Sequence, residues 1–112
     1  MKEPVWILRA AAESFHSDAL ASHGGLPGVR DANALESALG RPQNQWNYGQ
    51  PDIADLAAAY AFGLVKNHPF NDANKRTALA VMGVFLACNG HNLDAPHDEL
   101  LYAMLGLAEG EV

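Results

Sequence analysis

Two runs of this chain, Ile53 to Asn67 and Lys75 to Cys88, are apolar around nearly the whole circumference of a helix, and they constrain the fold more than anything else in it. In the first run Ile53, Leu56, Ala57, Tyr60, Ala61, Leu64 and Val65 form one stripe at helical spacing. Ala58, Ala59 and Phe62 make its other faces apolar as well. A helix with almost no polar face runs through the middle of a small domain. No segment alternates polar and apolar residues for long. The spacing therefore predicts an all-α fold, a single domain with these two helices at its centre and the segment 68–76 as the loop between them.

Three further helices can be read around this pair. The first runs from about Val5 to Ala21, on Leu8, Ala12, Phe15 and Ala19, and His23-Gly24-Gly25 ends it. Leu26 to Asp31 is a turn-rich loop. A short second helix spans about Ala32 to Leu39, capped by Asp31 or Asn33, with Arg41-Pro42 as its stop. Gln43 to Gln50 is polar and reads as an exposed loop or flap, in which Trp46 and Tyr48 have the best claim to a partner surface. The third helix starts on Asp52 as N-cap and ends at Asn67, because Pro69 disfavours a helical His68. Asn89-Gly90 closes the fourth helix. A fifth is expected over about Asp98 to Ala108, on Leu100, Leu101, Met104, Leu105 and Ala108.

A length of 112 residues suits one core, and 49% hydrophobic content suits a folded chain. The net charge of −6 argues against nucleic-acid binding, which needs a basic surface. With one cysteine there is no internal disulfide, and Cys88 reads as a small buried apolar residue. No apolar signal region opens the chain, and the longest apolar stretch, Ala78 to Cys88, is too short for a bilayer. The expectation is a cytoplasmic protein with no membrane partner. His16, His23, His91 and His97 lack partners at metal-ligand spacing and read as structural or surface residues.

The chemistry is concentrated in His68-Pro69-Phe70-Asn71-Asp72-Ala73-Asn74-Lys75-Arg76. Lys75 and Arg76 stand in the first turn of the fourth helix, where the free N–H groups already carry partial positive charge. That placement breaks a local rule, and it makes sense if an anion docks there on the N–H groups and both cations. Asn74 is a natural N-cap, and Ala73 keeps the backbone accessible to a ligand. His68 carries an imidazole, the side chain most often used to take a proton from a hydroxyl nucleophile. Asp72 offers oxygens to Mg²⁺, which binds through one or two carboxylates plus phosphates and water. Phe70 is an apolar peg that anchors the loop. Singly, each polar group has a plainer use: His68 as a helix-terminal residue, Asp72 as a cap, Lys75 and Arg76 as a solvated patch. The shared spacing is what favours a site.

The same residues carry a family resemblance. The segment resembles the Fic/Doc signature, His-x-Phe-x-Asp/Glu-Gly/Ala-Asn-x-Arg, at each fixed position from His68 to Arg76. Lys75 replaces the second glycine of the general Fic form, and Leu79 stands where that form has a second arginine. Both departures resemble the Doc, or death-on-curing, branch. Gly24 to Asp31, Leu35 to Leu39, Arg41-Pro42 and Ala57 to Tyr60 also look like Doc, so the likeness covers most of the chain. Doc-like chains continue with one more short helix after a Gly-Glu like Gly110-Glu111, whereas this sequence stops at Val112. A natively short chain and a truncated one both fit that departure.

The resemblance implies one Fic/Doc-like domain over residues 1–112, all-α, and the toxin of a toxin–antitoxin pair. It implies Mg²⁺-dependent transfer of the γ-phosphate of ATP to a protein hydroxyl, a threonine of elongation factor Tu, which stops translation. In that analogy His68 is the base, Asp72 holds Mg²⁺, and Ala73, Asn74, Lys75 and Arg76 bind the nucleotide's phosphates. Arg41 to Gly49 would be a flap holding the target peptide. The cognate antitoxin would be Phd-like, laying a helical segment into an apolar groove. Two rivals stand beside this reading: transfer of AMP instead of phosphate, and an inactive binding module that kept the motif.

Overall fold

The computed structural model describes residues 2–91. They form four helices: α1 over Arg9–His23, α2 over Ala32–Tyr48, α3 over Ile53–Asn67 and α4 over Asn74–Cys88. Among the described residues there is no strand, only a bridge between Val29 and Phe70. The expected all-α architecture is present. The fifth helix expected over Asp98 to Ala108 lies outside the described residues.

α3 is the central helix and packs on both α2 and α4, while α1 lies on α4. Leu56, Ala57, Tyr60, Ala61 and Leu64 are fully buried, as the all-round apolar pattern requires. Its start is fixed by a reciprocal capping box: Asp52 accepts from Asp55 N–H, and Asp55 accepts from Asp52 N–H. Gly63 makes the crossing with α2 close, since a Cβ there would stand 3.1 Å from Ala38 Cα. The core closes around Leu35, Val81, Met82 and Phe85. Phe85 packs on Tyr60, with ring centroids 5.0 Å apart.

α1 begins at Arg9 rather than Val5. The backbone before it is tied elsewhere: the Val5 carbonyl, which a helix from there would use to accept Arg9 N–H, accepts from Asn89 Nδ2, while Val5 N–H donates to Asn89 Oδ1 and Ile7 N–H to the Tyr60 hydroxyl. Groups bonded to distant side chains are not available for a helical ladder.

α2 departs most from expectation. It does not stop at Arg41-Pro42 but continues through Pro42 to Tyr48, so the segment read as a loop or flap is helix. Proline inside a helix costs ~3 kcal/mol in isolation, and packing outweighs it here. Pro42 is fully buried, the Arg41 guanidinium lies 4.6 Å from the centre of the Phe62 ring, and Trp46 packs edge-on against Trp6. α2 runs antiparallel to α3, with Ala34 beside Asn67, Ala38 beside Gly63 and Arg41 beside Phe62. Its second half thus lies along the N-terminal part of α3, away from residues 68–76. A role for Arg41 to Gly49 as a flap over that loop is not compatible with this placement. Tyr48 is 90% exposed and Trp46 only partly so.

Candidate active site

The loop between α3 and α4 is held in an unusual conformation. His68 ends α3 with φ 47° and ψ 57°, and Ala73 begins α4 with φ 60° and ψ 26°. Both are in the left-handed region that non-glycine residues seldom adopt, and strain of this kind persists only where neighbours impose it. Pro69 disfavours a helical His68, as the sequence suggested.

The neighbours come mainly from the segment Gly24 to Asp31. The Arg30 side chain donates from Nε to the His68 carbonyl at 2.7 Å and from a terminal nitrogen to the Asn67 carbonyl at 2.9 Å. Backbone N–H groups of Arg30 and Asp31 both donate to the Pro69 carbonyl. Asn71 N–H donates to the Gly28 carbonyl, and the Asn71 amide donates to the Pro27 carbonyl. Sequence reading takes Leu26 to Asp31 as a turn-rich loop and Gly24 to Asp31 as a Doc-like stretch, yet neither reading marks the segment as the outer brace of the site. Its signal was the glycine density, since Gly24, Gly25 and Gly28 all have positive φ.

Inside the loop Phe70 is buried, as the peg expected of it. Asn74 holds Phe70 from both ends of its amide: Oδ1 accepts Phe70 N–H at 3.0 Å, and Nδ2 donates to the Phe70 carbonyl at 3.0 Å. Asn74 is therefore a loop anchor and the first residue of α4, not its N-cap. Its Nδ2 also stands 3.5 Å from His68 Nδ1, at the outer limit of a hydrogen bond. The N-cap position is Ala73, which supplies no side-chain cap, although its carbonyl accepts both the Thr77 N–H and the Thr77 hydroxyl.

Asp72 is exposed, and each of its carboxylate oxygens accepts a backbone N–H. Ala73 donates to Oδ1 at 2.9 Å and Leu26 to Oδ2 at 3.3 Å. These two donors, with a smaller contribution from the Arg76 guanidinium, hold the carboxyl below its ordinary range. Arg76 reaches the Gly24 carbonyl at 3.4 Å. His68 is exposed. An open cleft of about 480 Å³ is lined by Val65, His68 and the run from Asn71 to Arg76. His68, Asp72, Ala73, Asn74, Lys75 and Arg76, the residues singled out from the sequence, thus share one cleft, above the buried Phe70.

Other sequence readings fare differently. Cys88 is exposed rather than buried, although Phe85 and Leu86 in the same turn of α4 stay in the core. His23 and His91 are at the surface, while His16 is buried directly beneath the loop. Among the described residues no three His, Cys, Asp or Glu side chains group as a metal cage. No helix among them is long and apolar enough to cross a membrane.

The family model described as the Fic/DOC family matches residues 6–86. The chain is 38% identical over 101 residues to the protein kinase doc of Escherichia phage P1, covering 88% of this chain and 79% of the relative. It is 44% identical over 78 residues to the toxin Doc of Mycolicibacterium smegmatis, covering 67% of this chain and 59% of that protein. The matched region contains the braced loop, the cleft and the helices that carry them, and on that ground the chain belongs to the Fic/DOC family.

Proposed function

We propose that this protein is the toxin of a toxin–antitoxin pair and transfers the γ-phosphate of ATP to a protein hydroxyl. The favoured target is a threonine of elongation factor Tu, with arrest of translation as the consequence. Similarity to a protein kinase and to a toxin, both of the Doc type, supports the toxin and kinase parts of this reading. The observation that carries it is the convergence of His68, Asp72 and Arg76 with the uncapped start of α4 on one cleft.

The donor set fits a magnesium nucleotide. Asp72 presents a single carboxylate held toward its ionised form, with no preformed cage around it among the described residues, as suits a cation that keeps waters and binds substrate phosphates. Bound there, Mg²⁺ would offset the charge that develops on the transferred group. Lys75 and Arg76 would bind the phosphates beside the positive end of the α4 dipole, while Ala73 N–H is engaged by Asp72 Oδ1. Asn74 contributes by holding the loop. His68 takes the proton from the target hydroxyl as its oxygen bonds to the γ-phosphorus. The bond from that phosphorus to the bridging oxygen breaks, and ADP leaves. A Phd-like antitoxin would neutralise the protein.

Peptide mass spectrometry of elongation factor Tu, after incubation with the protein, ATP and Mg²⁺, tests the reading. A phosphate-sized gain on a threonine, absent with His68→Ala, is expected. An AMP-sized gain would replace the proposal with adenylyl transfer. The donor orientation rests on Lys75, so Lys75→Gly should alter which group is transferred.

A further inference from the structure

We infer that His16, on α1, is a positioning residue for the nucleotide site, acting through the backbone of Asp72. The inference rests on the proposed Mg·ATP chemistry but uses a residue which that chemistry leaves out.

His16 is 4% exposed, an uncommon position for an imidazole. Its ring lies flat on Phe70, with centroids 3.9 Å apart and planes 8° from parallel. Its Nε2 stands 3.0 Å from the Asp72 carbonyl oxygen. A carbonyl only accepts, so Nε2 carries the hydrogen and donates it. One side chain therefore grips the loop twice, at the buried peg and at the peptide that bears the exposed carboxylate.

The consequence is directional. The Asp72 carboxylate is fixed from outside by Leu26 N–H and from its own chain by Ala73 N–H. Both contacts depend on where the peptide after Asp72 sits. His16 is the contact from below that sets its height, because its carbonyl belongs to the same peptide unit as Ala73 N–H. A phenylalanine at position 16 would fill the volume and keep the stack on Phe70, but would leave that carbonyl without its donor. A glutamine would lose the stack and retain an N–H that can reach it. Packing and hydrogen bonding thus separate into two variants.

Calorimetric titration of full-length protein with Mg·ATP, alongside thermal melts, reads the difference. His16→Phe is expected to melt close to wild type and to bind Mg·ATP about 10- to 100-fold more weakly, the usual cost of losing a partner behind a metal ligand. His16→Gln is expected to recover most of the affinity. Wild-type affinity in His16→Phe would overturn the inference, as would equal loss in both variants in step with lowered melting temperatures. If neither variant folds, ¹⁵N spectra of the wild-type imidazoles decide. A shift of the His16 signal on adding Mg·ATP supports the role, and an unmoved signal refutes it. Wild-type protein that takes up no Mg·ATP would sink the nucleotide reading itself, and the role of His16 with it.

Discussion

Asp72 shows how a single side chain is tuned without a charged partner in contact. Two backbone N–H groups stabilise its ionised form more than the nearby Arg76 does. Its carboxyl is depressed in the folded state, so its contribution to stability is present above the unfolded value and lost as pH falls through the lower, folded one. The Asp72 carboxyl should accordingly stay ionised below the ordinary carboxylate range, which a ¹³C-detected carboxyl titration would show. Gly25→Ala is expected to raise that titration toward the ordinary value. Its Cβ would lie 2.9 Å from Asp72 Oδ2, and φ at this position is +129°, so the Leu26 contact would be lost. An unchanged titration in Gly25→Ala would show that the glycine does not matter to the carboxylate. The polar members of the site were legible in the sequence because they fall within one short run. His16, Gly25 and Arg30 were not, because their link to that run exists only after α1 and its following loop fold back over it.

The elements differ in how far local signals determined them. α3 was readable to the residue, since Asp52 with Asp55 defines its start and Pro69 its end. α2 was not, because Pro42 is a stop signal locally and a packed core residue in the fold. The helical reading of residues 43–48 has a direct check. Trp46→Ala should cost about 2 kcal/mol in a denaturant melt, below the range for a fully buried tryptophan. Tyr48→Ala, at an exposed position, should fall within about 0.5 kcal/mol of wild type. Equal, negligible effects would favour an exposed flap. At the α2–α3 crossing, Gly63→Ala should destabilise by about 1–3 kcal/mol through overpacking against Ala38. At the far end of α3, Arg30→Ala should cost only about 1 kcal/mol in stability, being exposed. It should lower turnover by more than that loss explains, because His68 would be released from its left-handed conformation. Arg30→Lys should not rescue turnover, since an ammonium lacks the planar fork that meets two carbonyls.

At the scale of the molecule, an acidic chain with a net charge of −6 brings Lys75 and Arg76 to one cleft at the start of α4. Two central helices set the ends of the loop, α1 supports it from below, and the segment Gly24 to Asp31 braces it from outside. The all-α architecture was legible because the two central helices are apolar nearly all round. The brace was not, because loops carry no periodicity. The central claim is that this assembly moves the terminal phosphate of ATP to a protein hydroxyl, with His68 as the base. The most direct test compares ATP labelled at its γ-phosphorus with ATP labelled at its α-phosphorus, using elongation factor Tu as acceptor and His68→Ala as control. The account predicts label on the acceptor from γ-labelled ATP only, abolished in the control. Label from α-labelled ATP, or transfer that survives His68→Ala, would contradict it.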